Sequence, residues 1–311
     1  MTAASAAHRQ PQHQAQSDGL AVHRIGGVIG AEVRGVKISG ELPRATVTAI
    51  HQALLRHKVL FFRDQNLDDA TQEAFARLWG KKLIAHPTIP SLDGTEAILD
   101  VDGKNNRASN WHTDFTFVDA YPSISILRSV VLPEHGGDTI WANMAAAYNG
   151  LPDALREFAE KIWALHTNDY DYAATHKVRP EGLQRFNEVF TKRVFETEHP
   201  LVRVHPDTGE RVLLVGYFIK KLIGFRSADS RRLLEIFHDH ATSPENTIRW
   251  HWQPGDLAMW DNNATMHRAV DDYDELPRIM HRTTIEGIVP VSVDGRRSRT
   301  LVVSDKARAT A

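Results

Sequence analysis

The sequence contains no cysteine. That absence removes disulfide scaffolds, thiolate zinc sites, iron–sulfur clusters and thiol nucleophiles together. Excess charge is also scarce: 37 Lys and Arg stand against 39 Asp and Glu, a formal net charge of -2 at pH 7. No broad basic footprint for nucleic acid or an anionic membrane is present, so any anion site must be local. No apolar run approaches the roughly 20 residues needed to cross a bilayer. Residues 1–19, rich in Ala, Gln, His and Ser, lack the apolar core of a signal peptide and read as a disordered tail. The expectation is a cytoplasmic protein with no nucleic-acid or membrane partner.

What remains is an average globular composition over 311 residues, 42% hydrophobic and 24% charged. Barrel-type folds of this length often form one domain, expected here over 20–300, with a tail at 301–311. Leu20 to Ile38 alternates short apolar runs with Gly26, Gly27, Gly30 and Gly35, which predicts strands joined by tight turns. Its glycines do not match the GxGxxG spacing of a dinucleotide loop. Helical periodicity predicts helices over 45–58 and 68–79, the second stopped at Gly80, with the strand Val59 to Phe62 between them. Further strands are predicted over 124–132, 211–216, 256–261 and 279–289, and helices over 152–163, begun by Pro152, and 228–241, capped by Ser227. Strands outnumber helices without regular alternation, so a mainly β sandwich or barrel with peripheral helices fits better than a doubly wound fold. The long polar and aromatic stretch 166–206 reads as a lid, with a disordered insertion as the alternative.

With no thiol available, metal chemistry falls to carboxylates and the 17 histidines. His112 and Asp114 stand two residues apart in Asn110-Trp111-His112-Thr113-Asp114-Phe115. Positions i and i+2 share a face only in extended chain, which the flanking Trp, Thr and Phe favour. Alone, such a pair is more often a solvated surface feature than a metal site. A second segment, Trp260-Asp261-Asn262-Asn263-Ala264-Thr265-Met266-His267-Arg268, has a strand ending in a polar turn that delivers His267. Two histidines and one carboxylate form the facial triad suited to iron(II) oxygenases, because three coordination positions stay open for small molecules. A third segment, Arg278-Ile279-Met280-His281-Arg282, places two arginines on one strand face, about 13 Å apart at ~3.3 Å per residue. Arginine forks pair well with carboxylate, sulfonate or sulfate, although a single arginine more often makes a structural ion pair. His238 and His240 diverge on a predicted helix, His281 has the opposite parity to the arginines and is expected to face the core, and His251 lacks a carboxylate at ligand spacing.

Taken in order, Trp111-His112-Thr113-Asp114, Gly136-Gly137-Asp138-Thr139, Trp260-Asp261-Asn262 with His267-Arg268 after it, and the two-arginine strand resemble the taurine dioxygenase-like (TauD/TfdA) family of 2-oxoglutarate-dependent oxygenases. The resemblance runs from about Gly30 to Pro290, and the stretch Phe117 to Tyr148 is most similar to the type II alkylsulfatases of that family. It implies a double-stranded β-helix (jelly-roll, cupin-like) core and Fe(II), 2-oxoglutarate and O2 as metal and co-substrates. It also implies metal ligation by His112, Asp114 and His267, and 2-oxoglutarate binding by Arg278 and Thr139 with Arg282 near both co-substrate and substrate. His86 and Phe115 would meet the small anionic substrate, an alkyl sulfate or, alternatively, taurine or another sulfonate or small acid. A homodimer or homotetramer is implied as well. The competing class is a non-catalytic metal-binding β-sandwich, in which Thr139 and the paired arginines would have no purpose.

Overall fold

The structure, a computed structural model, describes residues 19–104, 107–169 and 189–305. A seven-stranded sheet has the spatial order Ala21–Arg24, Ala31–Arg34, Val59–Phe62, Leu257–Asp261, Ile124–Val131, Ile279–Ile285, Leu99–Asp102. Its strands pair antiparallel except where Ala31–Arg34 meets Val59–Phe62. A three-stranded sheet of Thr247–Trp250, Thr139–Asn143 and Thr265–Ala269 supplies the opposing wall.

Period-two alternation explains how the walls meet. Val59, Phe61, Leu127, Ala258, Trp260 and Met280 from the large sheet pack with Trp141 and Trp250 from the small one in a single buried cluster. The intervening Leu60, Phe62, Ile126, Leu257 and Met259 point the other way, against the helices Arg44–His57 and Asp69–Ala76. The result is a mainly β core with peripheral helices, the jelly-roll that the resemblance implied. The parity also selects what enters the barrel: Ser125 and Arg282 follow the inward residues of their strands, and Thr139 and His267 follow Trp141 of theirs.

Several elements differ in detail from the sequence reading. The second helix ends at Ala76, three residues before the predicted end, and Asp68 caps it by accepting from the Thr71 N–H at 2.7 Å. The helix after Pro152 spans Asp153–Glu160, because Trp163 already belongs to the buried strand Trp163–Thr167. Ser227 is the first helical residue of Ser227–Ala241 rather than its cap, and no side chain caps that helix. The helix Met144–Gly150 was not foreseen; Asn143 caps it through two N–H bonds of 3.0 Å. The predicted strands 211–216 and 279–289 shorten to Arg211–Leu213 and Ile279–Ile285.

Within the described part of the stretch expected to be a lid, Arg193–Pro200 and Val202–Val204 are strands. Trp163–Thr167, Arg193–Pro200 and Arg299–Asp305 join one four-stranded sheet with Ile219–Leu222, so the expected C-terminal tail begins as a paired strand. Residues 170–188, and with them the centre of that expected lid, lie outside the described residues, as do 1–18 of the expected N-terminal tail and 306–311. No described helix is long and apolar enough to cross a membrane.

Candidate active site

His112 lies in a loop that joins the barrel through a single antiparallel bridge to His267. Its N–H donates to the His267 carbonyl at 2.9 Å and the His267 N–H returns a bond of 2.8 Å. This pairing puts both side chains on one face, with ring centroids 4.3 Å apart. Asp114, two residues after His112, then adds the carboxylate. His112 Nε2 stands 3.7 Å and His267 Nε2 3.9 Å from Asp114 Oδ1, and all three residues are buried.

The electrostatics keep this donor set ready for a cation. Burial alone would raise the Asp114 carboxyl, but Arg282, His267 and His112 together hold it well below the usual carboxylate range. Burial, followed by the neighbouring His112, pushes His267 well down, so its imidazole is neutral as a ligand must be. His112 Nδ1 is engaged with the Asn110 carbonyl at 2.8 Å, which turns Nε2 inward. Two imidazole nitrogens and one carboxylate oxygen, mutually within 4.8 Å, match an iron(II) facial triad.

The sequence-predicted arginines share a strand face but end in different places. Arg282 Nη1 pairs with Asp114 Oδ1, and its guanidinium carbon lies 5.0 Å from the Phe115 ring centroid. Arg278, only 3% exposed, donates from Nε to the Gly137 carbonyl at 2.8 Å and from Nη2 to Thr139 Oγ1 at 3.3 Å. Trp252 Nε1 also donates to Thr139 Oγ1, at 3.0 Å, which leaves the Thr139 hydroxyl proton to be given to an acceptor. Close approach explains the Gly-Gly pair here. A Cβ on Gly137 would come within 3.0 Å of Arg278 Cδ, and one on Gly136 within 2.3 Å of the Asp272 carbonyl oxygen; both residues have positive φ.

His86 and Phe115 come together beside this cluster, with ring centroids 4.7 Å apart. His86 Nδ1 accepts from the N–H groups of Thr88 and Ile89 at 3.2 and 3.0 Å, which places the proton of the neutral ring on Nε2. Burial, then Arg282, pushes this imidazole down to about 3. Around it Phe115, Phe117, Phe190, Leu214 and Phe218 form a buried apolar cluster.

The histidines set aside in the sequence do lie elsewhere. His240 bonds the Ala147 carbonyl at 2.9 Å, and His251 pairs with Asp138 at 2.9 Å. His281 faces a polar pocket, not apolar core: Asp69 lies 2.5 Å away and Arg128 beside it, under the helix Asp69–Ala76. Sequence reasoning missed Ser125, whose hydroxyl donates to Asp114 Oδ2 at 2.7 Å. The parity shared with inward-facing Leu127 was the available signal. It also missed Trp252, whose bond to Thr139 crosses between distant segments.

Comparison with known proteins agrees with this geometry. Residues 20–284 match the model of the family described as taurine catabolism dioxygenase TauD, TfdA family. An α-ketoglutarate-dependent sulfate ester dioxygenase of Pseudomonas putida is 57% identical, with 90% of this chain and 94% of that protein covered. An alkylsulfatase of Acinetobacter baylyi is 49% identical, covering 92% and 91% respectively. A solved taurine dioxygenase from Burkholderia xenovorans superposes with a TM-score of 0.78 at 38% identity, covering 92% of this chain and 96% of that one. The chain therefore belongs to the taurine catabolism dioxygenase TauD, TfdA family.

Proposed function

We propose that this protein is an Fe(II)- and 2-oxoglutarate-dependent dioxygenase that cleaves alkyl sulfate esters oxidatively. In the net reaction an alkyl sulfate, 2-oxoglutarate and O2 give an aldehyde, inorganic sulfate, succinate and CO2. One observation carries the reading: a triad of two imidazoles and one carboxylate lies beside a buried arginine, with a second arginine and a hydroxyl donor on the same inward face. The substrate class follows from the relatives at 57% and 49% identity, whose names specify sulfate esters and alkylsulfatase.

His112, Asp114 and His267 would hold the iron, which supplies oxygen activation when bound with its keto-acid partner. Arg278 presents its guanidinium, and Thr139 its hydroxyl proton, to the far carboxylate of 2-oxoglutarate. Arg282 and the Nε2–H of His86 provide a cation and a neutral donor for the sulfate head. Holding His86 neutral matters, because a second cation beside Arg282 would repel it. The cluster of Phe115, Phe117, Phe190 and Phe218 excludes water and accepts the alkyl chain, orienting the C–H bond next to the ester oxygen. The reading places the enzyme in the cytoplasm with its metabolite co-substrate, as a homodimer or homotetramer.

A sulfonate substrate is the second reading, favoured by the 38% identity to the taurine dioxygenase, since sulfonate and sulfate offer arginine nearly the same charge and shape. Anaerobic reconstitution with Fe(II) and 2-oxoglutarate, then oxygen exposure with alkyl sulfates, alkylsulfonates and phenoxyacetates, separates them. Succinate matched mole for mole by sulfate is the expected result. Succinate matched by sulfite, or none with any alkyl sulfate, overturns the assignment.

A further inference from the structure

Asn262 makes contacts that the family chemistry leaves unassigned. It is 1% exposed and sits in the turn between the strands Leu257–Asp261 and Thr265–Ala269, five residues before His267. Its Oδ1 accepts from the Asp114 N–H at 3.0 Å, and its Nδ2 donates to the Asp114 carbonyl at 3.3 Å and the Pro122 carbonyl at 2.8 Å. The carboxamide thus grips both peptide groups flanking the Asp114 Cα, which fixes the direction of the Asp114 side chain. Only a group with one acceptor and two donors satisfies all three partners; a carboxylate of the same shape would face two carbonyls without a proton.

The residue after Asp114 explains why such a grip is needed. Phe115 has φ 57°, a left-handed conformation that is unfavourable for a side chain with a Cβ. Left to local preference, the 114–115 peptide would rotate, carrying the carboxylate from the two histidines and the Phe115 ring from Arg282. The turn itself is anchored: the Asn262 N–H donates to the Ser123 carbonyl at 2.9 Å, and Arg203 Nη1 donates to Asn263 Oδ1 at 2.8 Å. One turn therefore sets both His267, through the strand it begins, and Asp114, through the Asn262 amide.

We infer that Asn262 is a positioning residue, locking the Asp114–Phe115 backbone in the conformation that brings the carboxylate to the two histidines. The inference rests on the reading of His112, Asp114 and His267 as ligands. Its test uses the metal-free full-length protein titrated with Co(II), an oxygen-stable probe with a visible spectrum, by calorimetry and absorbance. Asn262→Ala and the near-isosteric Asn262→Asp are compared with Asn246→Ala, which removes a buried amide bonded to the Asn143 and Ala241 carbonyls and to neither Asp114 nor the histidines. Loss of a group that orients a ligand typically weakens metal binding about 10- to 100-fold. That loss, with an altered Co(II) spectrum, is expected for both Asn262 variants per folded protein. Asn246→Ala lowers the thermal unfolding midpoint and leaves Co(II) affinity and spectrum unchanged. Should Asn262→Ala fail to fold, Asn262→Asp carries the test. Wild-type affinity and spectrum in a folded Asn262 variant overturn the inference, as does an equal loss in Asn246→Ala. A wild-type protein that binds no Co(II) removes the ligand assignment instead.

Discussion

The two histidines of the site are held by opposite means. His112 is fixed through Nδ1 by the Asn110 carbonyl, in a loop whose Thr113 hydroxyl donates to the Thr265 carbonyl at 2.8 Å. His267 has no hydrogen-bond partner for its buried Nδ1 among the described residues. Its ring lies instead between Trp141, stacked at 6.4 Å and 23°, and Trp260, at 4.7 Å. The loop side is thus a polar tether and the strand side an aromatic wedge. A tether fixes direction through a few short bonds, whereas a wedge fixes it by leaving no room to turn.

The largest expected effect breaks the wedge. Trp141 is fully buried and pairs directly across from His267 in the sheet. Trp141→Ala should destabilise the metal-free protein by about 3–5 kcal/mol, the usual cost of emptying a large aromatic site. Denaturant unfolding measures this, and Thr113→Val in the tether should cost less, about 1–3 kcal/mol for the Thr265 carbonyl left unpaired. Equal losses would dissolve the contrast between the two sides.

A middle-sized effect concerns a third histidine on the tethered side. His199 bonds Ser298 Oγ at 2.7 Å and the Thr116 carbonyl at 2.8 Å, and burial pushes it down to about 4. The unfolded chain, with an ordinary histidine value near 6.5, binds a proton before the folded one does. Stability from this group is therefore complete above about pH 6.5 and is lost as pH falls toward 4, roughly 2 kcal/mol of it by pH 5. Unfolding midpoints at pH 7.5 and 5 should show a smaller acid loss in His199→Gln than in wild type. An unchanged pH slope in that variant would show that other groups govern acid sensitivity.

How much of this was legible beforehand follows from the same contrast. The sequence order of His112, Asp114, His267, Arg278 and Arg282 could be read because each lies in a local pattern of strand parity or motif spacing. So could a mainly β sandwich or barrel, since Val59 to Phe62 and the strand predicted over 256–261 announce themselves by buried runs; the jelly-roll itself was implied only by the family resemblance. The supports could not. Trp252 reaches Thr139 across 113 residues and Asn262 reaches Asp114 across 148, and such pairings depend on barrel closure rather than on neighbouring residues. Arg282 on Asp114 is of the same kind, so strand parity placed both arginines on one face without showing which protein partner each meets. The helix after Asn143 escaped because its Met-Ala-Ala-Ala run is short and nearly fully buried, with no amphipathic period to find.

The smallest expected effect sharpens the tether. Ser125 is fully buried, and its hydroxyl donates to Asp114 Oδ2, while Oδ1 faces the two Nε2 atoms. Oδ1 also pairs with Arg282, so the Ser125 hydroxyl is the partner that holds the oxygen turned away from the histidines. Ser125→Ala removes the holding bond with little change in volume, so Asp114 gains freedom to swing between oxygens. Co(II) affinity should fall about tenfold, the low end for an orienting partner. Trp260→Phe is the matched change on the wedge side: the Trp260 Nε1 has no hydrogen-bond partner among the described residues, so that variant trims packing and removes no polar contact. If direction on the loop side comes from hydrogen bonds, Ser125→Ala weakens Co(II) binding more than it lowers unfolding stability, and Trp260→Phe does the reverse. The same ranking in both variants would mean that rigidity of the whole barrel, and not the Ser125 hydroxyl, keeps the carboxylate aimed.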